Sequence, residues 1–265
     1  MTPQPLVTTR SDVILTLRAA GCVFAEEEAD LLIAAADGDQ DALSRTVDQR
    51  VAGSPLEYIL GWAEFFGQRI CVDRGVFVPR RRTELLVLEA ISLAREPEII
   101  VDLCCGTGAV ATALATALPD ADVYATDIEA AAVHCARRNL DPLGGLVYEG
   151  DLYDPLPGIL QGRVALLVVN APYVPTDAIA MMPPEARLHE PLIALDGGED
   201  GLDVQRRVAQ DAGRWLSPGG HLLIETSALQ APRTAGILAA YGLETRVVHS
   251  DDLDATVVVG TRQSH

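Results

Sequence analysis

The sequence predicts an α/β fold, in which a mostly parallel sheet carries helices on both faces and a small helical domain comes first. Three observations support this prediction. From about residue 81 onward, short apolar runs typical of buried strands alternate with segments of helical periodicity. The first 60 residues carry helical periodicity, and a stretch rich in aromatic and turn residues follows them. The 265 residues, 49% of them hydrophobic, are enough to bury one large core or two unequal ones.

Residues 1–60 are predicted to form a helical domain of three short amphipathic helices. Ser11 is a suitable N-cap for the first helix, and Gly21 is placed to end it. Leu32 and Ala35 share one face of the second helix, as expected for a small bundle. The predicted helices are residues 12–20, 26–36 and 40–51.

Residues 61–80 are predicted to form a β-hairpin linker between the two domains. A Gly-Ser-Pro break at residues 53–55 ends the helical pattern. The following stretch, 62–78, mixes aromatic and β-branched residues with the turn residues Gly67 and Gly75.

Residues 81–265 are predicted to form the α/β domain. Its predicted strands are residues 99–103, 122–126, 145–148, 164–169, 221–225, 244–249 and 255–260. Its predicted helices are residues 84–94, 109–117, 129–139, 203–216 and 229–240. Because ligands of open α/β sheets bind at the carboxyl ends of the strands, residues that directly follow a strand are the candidates for a functional site.

The charge balance narrows the possible partners. The formal net charge is −18, from 20 Lys and Arg against 38 Asp and Glu. Binding to a nucleic-acid backbone or to an anionic membrane surface depends on Lys and Arg, so we expect neither as the principal partner. No apolar run approaches the roughly 20 residues that cross a bilayer, and residues 1–10 lack the pattern of a signal peptide.

The cysteines indicate a reducing compartment. Their number, five, is odd, and their irregular spacing fits neither a disulfide framework nor a C-x-x-C metal site. We therefore expect a cytoplasmic protein, and the sequence contains no cluster with metal-ligand spacing.

The segment from residue 104 to 108 follows a buried strand and opens a helix, where a nucleotide-like cofactor would bind. Gly106 and Gly108 let the backbone turn tightly and approach a ligand. The spacing matches neither the three-glycine dinucleotide pattern nor the phosphate loop, and the glycine pair alone equally fits a plain strand-to-helix turn. The candidate cofactor-binding residues here are Cys104, Cys105, Gly106, Thr107 and Gly108.

Two carboxylates follow the next two strands and extend the candidate cofactor site. Asp127 is placed to accept hydrogen bonds from both hydroxyls of a ribose, and it can also cap the helix that starts at Glu129. Asp151 can accept an N–H from an adenine amino group, with Leu152 packing on the adenine ring. Asp151 also fits an ordinary turn residue, and its sequence position alone favours neither role.

The segment that decides the functional interpretation is Asn170-Ala171-Pro172-Tyr173, directly after the strand 164–169. It resembles the Asn-Pro-Pro-Tyr motif of methyltransferases that modify planar nitrogens. The whole chain resembles the release-factor glutamine methyltransferases, because further signatures follow in the expected order. They are PLEYILG at 55–61, EFFG at 64–67, VPRRRTELL at 78–86, EP at 190–191, ALDGGEDGL at 194–202 and GGHLLIE at 219–225.

This resemblance implies a Rossmann-like class I methyltransferase domain that uses S-adenosylmethionine and releases S-adenosylhomocysteine. It also implies a protein partner, recognised with help from the N-terminal domain: a peptide-chain release factor, methylated on the glutamine of its Gly-Gly-Gln loop. An amide nitrogen is a poor nucleophile, so the enzyme must hold it in line with the methyl group.

The catalytic candidates are the four residues of the acceptor motif. The side-chain oxygen of Asn170 and the main-chain carbonyl of Ala171 can accept the two amide N–H bonds. Pro172 stiffens the loop, and Tyr173 offers a flat face to the glutamine side chain. Asn170 is also one of the cofactor-binding candidates.

Three departures from the family pattern indicate a divergent paralogue. Ala171 replaces the first proline of the motif, and Cys104 and Cys105 replace small residues of the glycine-rich turn. A cysteine at 104 is placed to crowd the methionine end of the cofactor. Three alternatives therefore stay open: an amino-methyltransferase acting on nucleic acid, one acting on another protein, and a non-catalytic S-adenosylmethionine-binding protein.

The run Arg80-Arg81-Arg82 is unusual in so acidic a chain. It lies beside the expected site, where it can meet a phosphate or an acidic partner, or it can simply be a solvated helix start. His189, in a long connection, and Glu225, at the end of a strand, are further residues expected near the site.

Overall fold

The computed structural model describes residues 9–95 and 98–264, and it begins with a cluster of short helices. They pack around a hydrophobic cluster of their own that contains Leu17, Leu32 and Val47. The helices are α1 (Arg10–Ala19), α2 (Ala25–Ala36), α3 (Gln40–Val51) and α4 (Leu56–Leu60). Of the predicted domain 1–60, residues 1–8 lie outside the described residues, as does most of the segment on which a signal peptide was considered.

The cap predicted for α1 is wrong. The helix begins two residues earlier than a cap at Ser11 would allow, because Thr9 caps it. The Thr9 hydroxyl and the Asp12 carboxylate each accept from the other residue's backbone N–H, which is a capping box. The five-residue helix α4 was not predicted, because Pro55 at its N-cap position was interpreted only as a break.

A two-stranded antiparallel hairpin follows, formed by β1 (Trp62–Phe65) and β2 (Gln68–Cys71). Its turn residues Phe66 and Gly67 both have positive φ, 49° and 69°. Positive φ at both central residues gives a two-residue turn whose twist matches that of the strands.

The α/β fold predicted from the sequence is confirmed by a seven-stranded sheet. Its strand order is β5-β4-β3-β6-β7-β9-β8; the first five strands are parallel, and β9 runs antiparallel to both neighbours. The strands are β3 (Ile99–Leu103), β4 (Asp122–Asp127), β5 (Leu146–Glu149), β6 (Val164–Val169), β7 (Leu216–Thr226), β8 (Leu243–Ser250) and β9 (Ala255–Arg262).

This order has a topological switch point between β3 and β6. The chain leaves β3 toward β4 and β5 on one side, then returns to β6 on the other. A crevice opens at the carboxyl ends of the strands at such a point, and ligands of open α/β sheets bind there. The glycine turn follows β3 and the acceptor motif follows β6, so both lie beside the crevice.

Helices cover both faces of the sheet, and successive residues of β3 point into different cores. The helices are α5 (Glu84–Leu93), α6 (Ala109–Ala117), α7 (Ala130–Leu140), α8 (Pro184–His189), α9 (Asp203–Trp215) and α10 (Ala231–Ala240). Ile100 packs with residues of α5, α6 and α7, whereas Val101 and Leu103 pack with residues of α9 and α10. This alternation is the period of two that a strand imposes on its side chains.

Strand β7 is longer than predicted. The sequence predicts a strand only from residue 221, after a helix that ends at residue 216. In the structure β7 starts at Leu216 and crosses both residues, with a shift of register against β6 between Val164 and Leu166. Such an irregularity accommodates Pro and Gly without ending the strand.

No helix within the described residues is long and apolar enough to cross a membrane.

Candidate functional site

A cavity of about 230 Å³ lies at the switch point, where the turns after β3, β4, β5 and β6 converge. The glycine turn forms one wall and the acceptor motif forms another. Gly108 is the predicted site residue that does not line the cavity. The predicted site residues that do line it are Cys104, Cys105, Gly106, Thr107, Asp127, Asp151, Leu152, Asn170, Ala171, Pro172 and Tyr173.

Gly108 serves helix packing instead of ligand contact. Its φ is 72°, and a Cβ there would lie 3.0 Å from the Cβ of Ala136 on α7. The absence of a side chain therefore lets α6 start close against α7. Gly106, with φ 54°, has open space where a Cβ would be, so its backbone is exposed to the cavity.

The first cysteine of the glycine turn has a strained backbone. Cys104 adopts φ 58°, a left-handed conformation that favours glycine. Burial and the nearby carboxylates raise the pKa of the Cys104 and Cys105 thiols above their ordinary value. Both are therefore protonated, weakly polar side chains, and Cys104 faces the cavity where crowding of a ligand was predicted.

Asp127, at the end of β4, holds two turns together. Its Oδ2 accepts the N–H of Gly106 at 2.8 Å, and its Oδ1 accepts the N–H of Glu129 at 2.9 Å, at the start of α7. A carboxylate has about four acceptor sites, so two remain for a ligand. Burial raises the pKa of Asp127, while the two backbone N–H bonds act in the opposite direction.

Asp151 has a partner that the sequence did not reveal. Its Oδ2 lies 2.6 Å from a guanidinium nitrogen of Arg207 on α9. Leu152 adopts φ 48°, and its carbonyl accepts the Thr126 hydroxyl at 2.9 Å. This bond ties the turn after β5 to the end of β4, and Oδ1 of Asp151 stays available to a ligand.

The acceptor motif contacts a helix start that lies 87 residues earlier in the sequence. The Asn170 side-chain nitrogen donates to the Thr83 hydroxyl at 3.3 Å, which leaves the Asn170 oxygen for another donor. Thr83 is buried in the short 3₁₀ turn Arg81–Thr83 before α5. Ala171 is buried, so its side chain packs into the protein while its peptide stays beside the cavity.

Backbone contacts hold the other end of the acceptor motif. Val174 donates its N–H to the Leu195 carbonyl at 3.0 Å and accepts the N–H of Gly197 at 2.9 Å. A Cβ at Gly197 would lie 2.7 Å from the Pro172 carbonyl oxygen, and one at Gly201 would overlap the Tyr173 carbonyl oxygen. The glycines of the segment 197–201 therefore let it pack directly on the acceptor motif.

Buried carboxylates surround the acceptor side of the cavity. Glu225, at the end of β7, has a side-chain exposure of 3% and accepts the Tyr173 hydroxyl at 3.4 Å. Burial and Glu225 raise the pKa of Tyr173 to about 12, so its hydroxyl keeps its proton. On the cofactor side, Asp102 of β3 also lines the cavity; it accepts the N–H of Ala111 at 3.1 Å, and burial raises its pKa to about 8.

The arginine run divides its charges between two of these acids. Arg80 pairs with buried Glu190 at 2.5 Å, and Arg82 lies 3.6 Å from Glu225. Arg81 is exposed. Two of the three guanidinium groups thus lie beside buried carboxylates, whereas Arg81 forms no ion pair among the described residues.

Comparisons with known proteins identify the family. Residues 68–184 match the methyltransferase small domain family. A release factor glutamine methyltransferase of Geobacter sulfurreducens is 38% identical to this chain over 218 residues, which are 82% of this chain and 76% of that protein. The chain belongs to the release factor glutamine methyltransferase family.

Two further comparisons bear on how far this likeness extends. A 4-amino-L-phenylalanine/4-methylamino-L-phenylalanine methyltransferase of Streptomyces pristinaespiralis is 37% identical over 74% of this chain and 69% of that protein. A methyltransferase of Pyrococcus furiosus, of known structure, has a TM-score of 0.56 and 15% identity, covering 83% of this chain and 99% of that chain. At that identity the structure shows the fold alone, the Rossmann-like class I methyltransferase fold.

Enzymes of the release factor glutamine methyltransferase family use S-adenosylmethionine, and so does this chain. The cavity suits that cofactor, because the carboxylates of Asp127 and Asp151 line it. S-adenosylmethionine carries a sulfonium, an ammonium, two ribose hydroxyls and an adenine amino group, all of which are cations or donors. Acceptor-only side chains are the matching set.

Sequence reasoning missed two residues at this release factor glutamine methyltransferase site. Arg207 lies on α9, 56 residues after its partner Asp151, and no local pattern marks it. Thr83 was quoted within the VPRRRTELL signature but was given no role. The sequence offered no local signal for a role at the site, because a threonine before an apolar helix is typical of a cap.

Proposed function

We propose that this protein transfers a methyl group from S-adenosylmethionine to the side-chain amide nitrogen of a glutamine in a peptide-chain release factor, within its Gly-Gly-Gln loop. The observation that carries the proposal is the hydrogen bond from the Asn170 nitrogen to Thr83. It frees the Asn170 oxygen at the junction of the cofactor turn and the acceptor motif, where an amide N–H would be accepted.

In this proposal the protein acts by positioning. S-adenosylmethionine supplies an electrophilic methyl group and leaves as S-adenosylhomocysteine. Asn170 Oδ1 and the Ala171 carbonyl oxygen each accept one amide N–H, which directs the nitrogen lone pair toward the methyl group. Pro172 restricts the loop, and the ring of Tyr173 supports the glutamine side chain. No base is needed before attack, because the nitrogen can release its proton after the new N–C bond forms.

The cofactor-binding roles are part of the same proposal. Asp127 accepts the ribose hydroxyls with the two acceptor sites that its backbone bonds leave free. Asp151 accepts the adenine amino group through Oδ1, while Arg207 fixes the carboxylate through Oδ2. Leu152 packs on the adenine ring. Cys105, Gly106 and Thr107 line the methionine side, where Cys104 narrows the cavity.

The domain roles are also proposed. Helices α1–α4, within residues 1–60, form the part that recognises the protein substrate. The hairpin region 61–80 links this part to the catalytic domain 81–265. The N-terminal helices and the catalytic domain are also in direct contact. Arg50 on α3 lies 3.3 Å from Glu185 on α8. The Tyr58 hydroxyl, which donates to the Val76 carbonyl at 2.8 Å, also lies 3.4 Å from the His189 carbonyl oxygen. Exposed Leu15 and Phe24 offer apolar contact to a partner.

We further propose a cytoplasmic location, which the unpaired state of all five cysteines supports.

One observation favours a second acceptor, an aryl amine on a free amino acid. The Streptomyces pristinaespiralis relative named for that acceptor is almost as similar to this chain as the Geobacter sulfurreducens enzyme is. Aryl amines and amides are both planar nitrogens with a delocalised lone pair, so the same two acceptor oxygens would orient either one.

A methyl-transfer assay with labelled S-adenosylmethionine tests the proposal. The acceptors are release factors from the same source, a Gln-to-Ala variant of the Gly-Gly-Gln loop, 4-amino-L-phenylalanine and purified nucleic acid. We expect label on the wild-type release factor and none on the variant. Label on 4-amino-L-phenylalanine or nucleic acid alone would reassign the acceptor. Cofactor binding without transfer to any of them would indicate a non-catalytic protein.

A further inference from the structure

Gln230, at the N-cap position of α10, is a half-buried residue that the proposed mechanism does not use. Its side-chain nitrogen donates to the Tyr173 carbonyl oxygen at 2.9 Å and to the Asp200 carbonyl oxygen at 3.2 Å. Neither carbonyl has another hydrogen-bond partner among the described residues. Gln230 therefore joins the end of the acceptor motif to the segment 197–201 that packs against it.

Ser227 fixes which end of the Gln230 amide faces the acceptor motif. Its hydroxyl accepts the backbone N–H of Gln230 at 3.2 Å and donates to the side-chain oxygen of Gln230 at 2.7 Å. The Ser-x-x-Gln spacing is that of a capping box, in which the glutamine reaches back to the serine backbone N–H. Here the serine hydroxyl takes the glutamine oxygen, so the NH₂ group points toward the two carbonyls. Carbonyl oxygens only accept, and a flipped amide would set oxygen against oxygen.

The acceptor motif is stiff enough to transmit a displacement at Tyr173 to the residues that hold the substrate. Proline fixes its own φ and restricts the preceding residue to extended conformations, so Ala171 and Pro172 have little freedom to absorb a rotation. The Asn170 side chain is held at one end of the motif by its bond to Thr83, and Gln230 holds the other end. The Ala171 carbonyl, one of the two proposed amide acceptors, lies between these supports.

We propose that Gln230 is a positioning residue, which acts through the main chain of Tyr173 to direct the Ala171 carbonyl toward the substrate amide. Gln230 does not line the cavity, so it does this without touching either reactant. Both of its bonds are made to main-chain oxygens, so no change of the Tyr173 or Asp200 side chain can substitute for them. This inference rests on the proposed function and adds the group that sets the geometry of its second acceptor.

The central variant is Gln230→Glu, which keeps the shape of the side chain and replaces the NH₂ donor by an oxygen. When ionised, the introduced carboxylate faces two carbonyl oxygens. We expect kcat at pH 8 to fall by about 10- to 100-fold, as for polar groups deprived of their partners. Gln230→Met, which removes the donor without adding a charge, should lower kcat by about 10-fold. Gln263→Glu adds the same charge at an exposed position after β9, on the opposite edge of the sheet, and should behave as the wild type.

A pH profile separates positioning from a general loss of structure. When protonated, the introduced carboxyl group can donate one hydrogen to the Tyr173 carbonyl. The kcat of Gln230→Glu relative to the wild type should therefore recover as pH decreases through the pKa of that group, whereas Gln230→Met should show no recovery. The charged side chains of the adjoining segments are Asp200 and its partners Arg206 and Arg233. Hydrogen bonding to Arg206 lowers the pKa of Asp200 to about 2, so these charges stay constant over the profile.

A second measurement does not depend on turnover. The Val174 N–H donates to the Leu195 carbonyl at 3.0 Å, directly after the acceptor motif. Its hydrogen exchange, followed by NMR, should be slow in the wild type and in Gln263→Glu, and faster in Gln230→Glu and Gln230→Met. The Kd for S-adenosylmethionine and the melting temperature serve as folding controls.

The outcomes distinguish the positioning role from the proposed function. Wild-type kcat in Gln230→Glu, an equally reduced kcat at every pH, or Val174 exchange that is the same in all variants overturns the positioning role. A wild-type protein that methylates no glutamine, but shows the exchange difference, instead overturns the proposed function alone.

Discussion

The two halves of the site are built by different means. In the cofactor half, the bond between Asp127 and Gly106 joins the ends of adjacent strands, and positive φ at residues 104, 106 and 108 shapes the turn. In the acceptor half, Thr83 reaches Asn170 across 87 residues of sequence, and Tyr173 reaches Glu225 across 52. The first half follows from one motif and its strand, whereas the second requires three distant segments to fold together.

The halves also use their acids differently. Asp127 and Asp151 direct carboxylate oxygens toward the cavity and are only partly buried. Glu225 and Glu190 lie beneath the acceptor side with almost no exposure, and each has one carboxylate oxygen without a partner among the described residues. In the cofactor half carboxylates line the cavity themselves, whereas in the acceptor half they lie behind the residues that line it.

The largest effect should come from Asn170→Ala. Removing the acceptor for one amide N–H abolishes the in-line orientation, and we expect kcat to fall by about 10³-fold, as for other groups that orient or stabilise a reacting centre. The Kd for S-adenosylmethionine, measured by calorimetry, should stay within a few-fold of the wild type if the two halves are separable. Turnover near the wild-type rate would contradict the amide-holding role.

Asp127→Ala should reverse that pattern. Losing a carboxylate that accepts two ligand hydroxyls should weaken cofactor binding by about 10- to 100-fold, as for hydrogen bonds to a charged group. Asp154→Ala, which removes an exposed acid near the same edge, is the matched control and should bind cofactor normally. Equal Kd values for the two variants would exclude Asp127 as the ribose acceptor.

Gly201→Ala tests how closely the segment 197–201 packs on the main chain of the acceptor motif. Its φ of 75° and the overlap of a Cβ with the Tyr173 carbonyl should lower the free energy of unfolding by about 2 kcal/mol. Gly236→Ala, inside α10 with open space around the new methyl group, should instead leave stability unchanged or raise it slightly. Urea denaturation of both variants gives the comparison, and equal stabilities would mean that the segment 197–201 moves aside freely.

The smallest effect concerns Cys104→Gly. Relieving a left-handed conformation gains roughly 1–2 kcal/mol, and the greater freedom of glycine in the unfolded chain offsets about half of it. We expect a rise of about 0.5 kcal/mol in the free energy of unfolding and tighter S-adenosylmethionine binding, because the wall becomes less crowded. Weaker binding in Cys104→Gly would mean that the thiol contacts the cofactor favourably.

The sequence was most informative where structure is local. The bounds of β3, α6 and β6 were predicted to the residue, because apolar runs and glycine punctuation mark them. The start of β7 was predicted five residues too late, since the strand passes through Pro218 and Gly219 with an irregularity against its neighbour β6. Thr83 and Arg207 could not be assigned roles, because their partners lie 87 and 56 residues away and only the folded sheet brings them together.

The close packing of Gly197 and Gly201 on the acceptor motif also limits how this enzyme can be redesigned. Main-chain atoms there contact main-chain atoms, so no choice of amino acid at 197 or 201 can adjust the loop in small steps. Met182 and Ile193 differ from these glycines, because they line the cavity with side chains that are partly solvated. A mutant library aimed at new nitrogen acceptors should therefore vary those two positions and keep the glycines fixed.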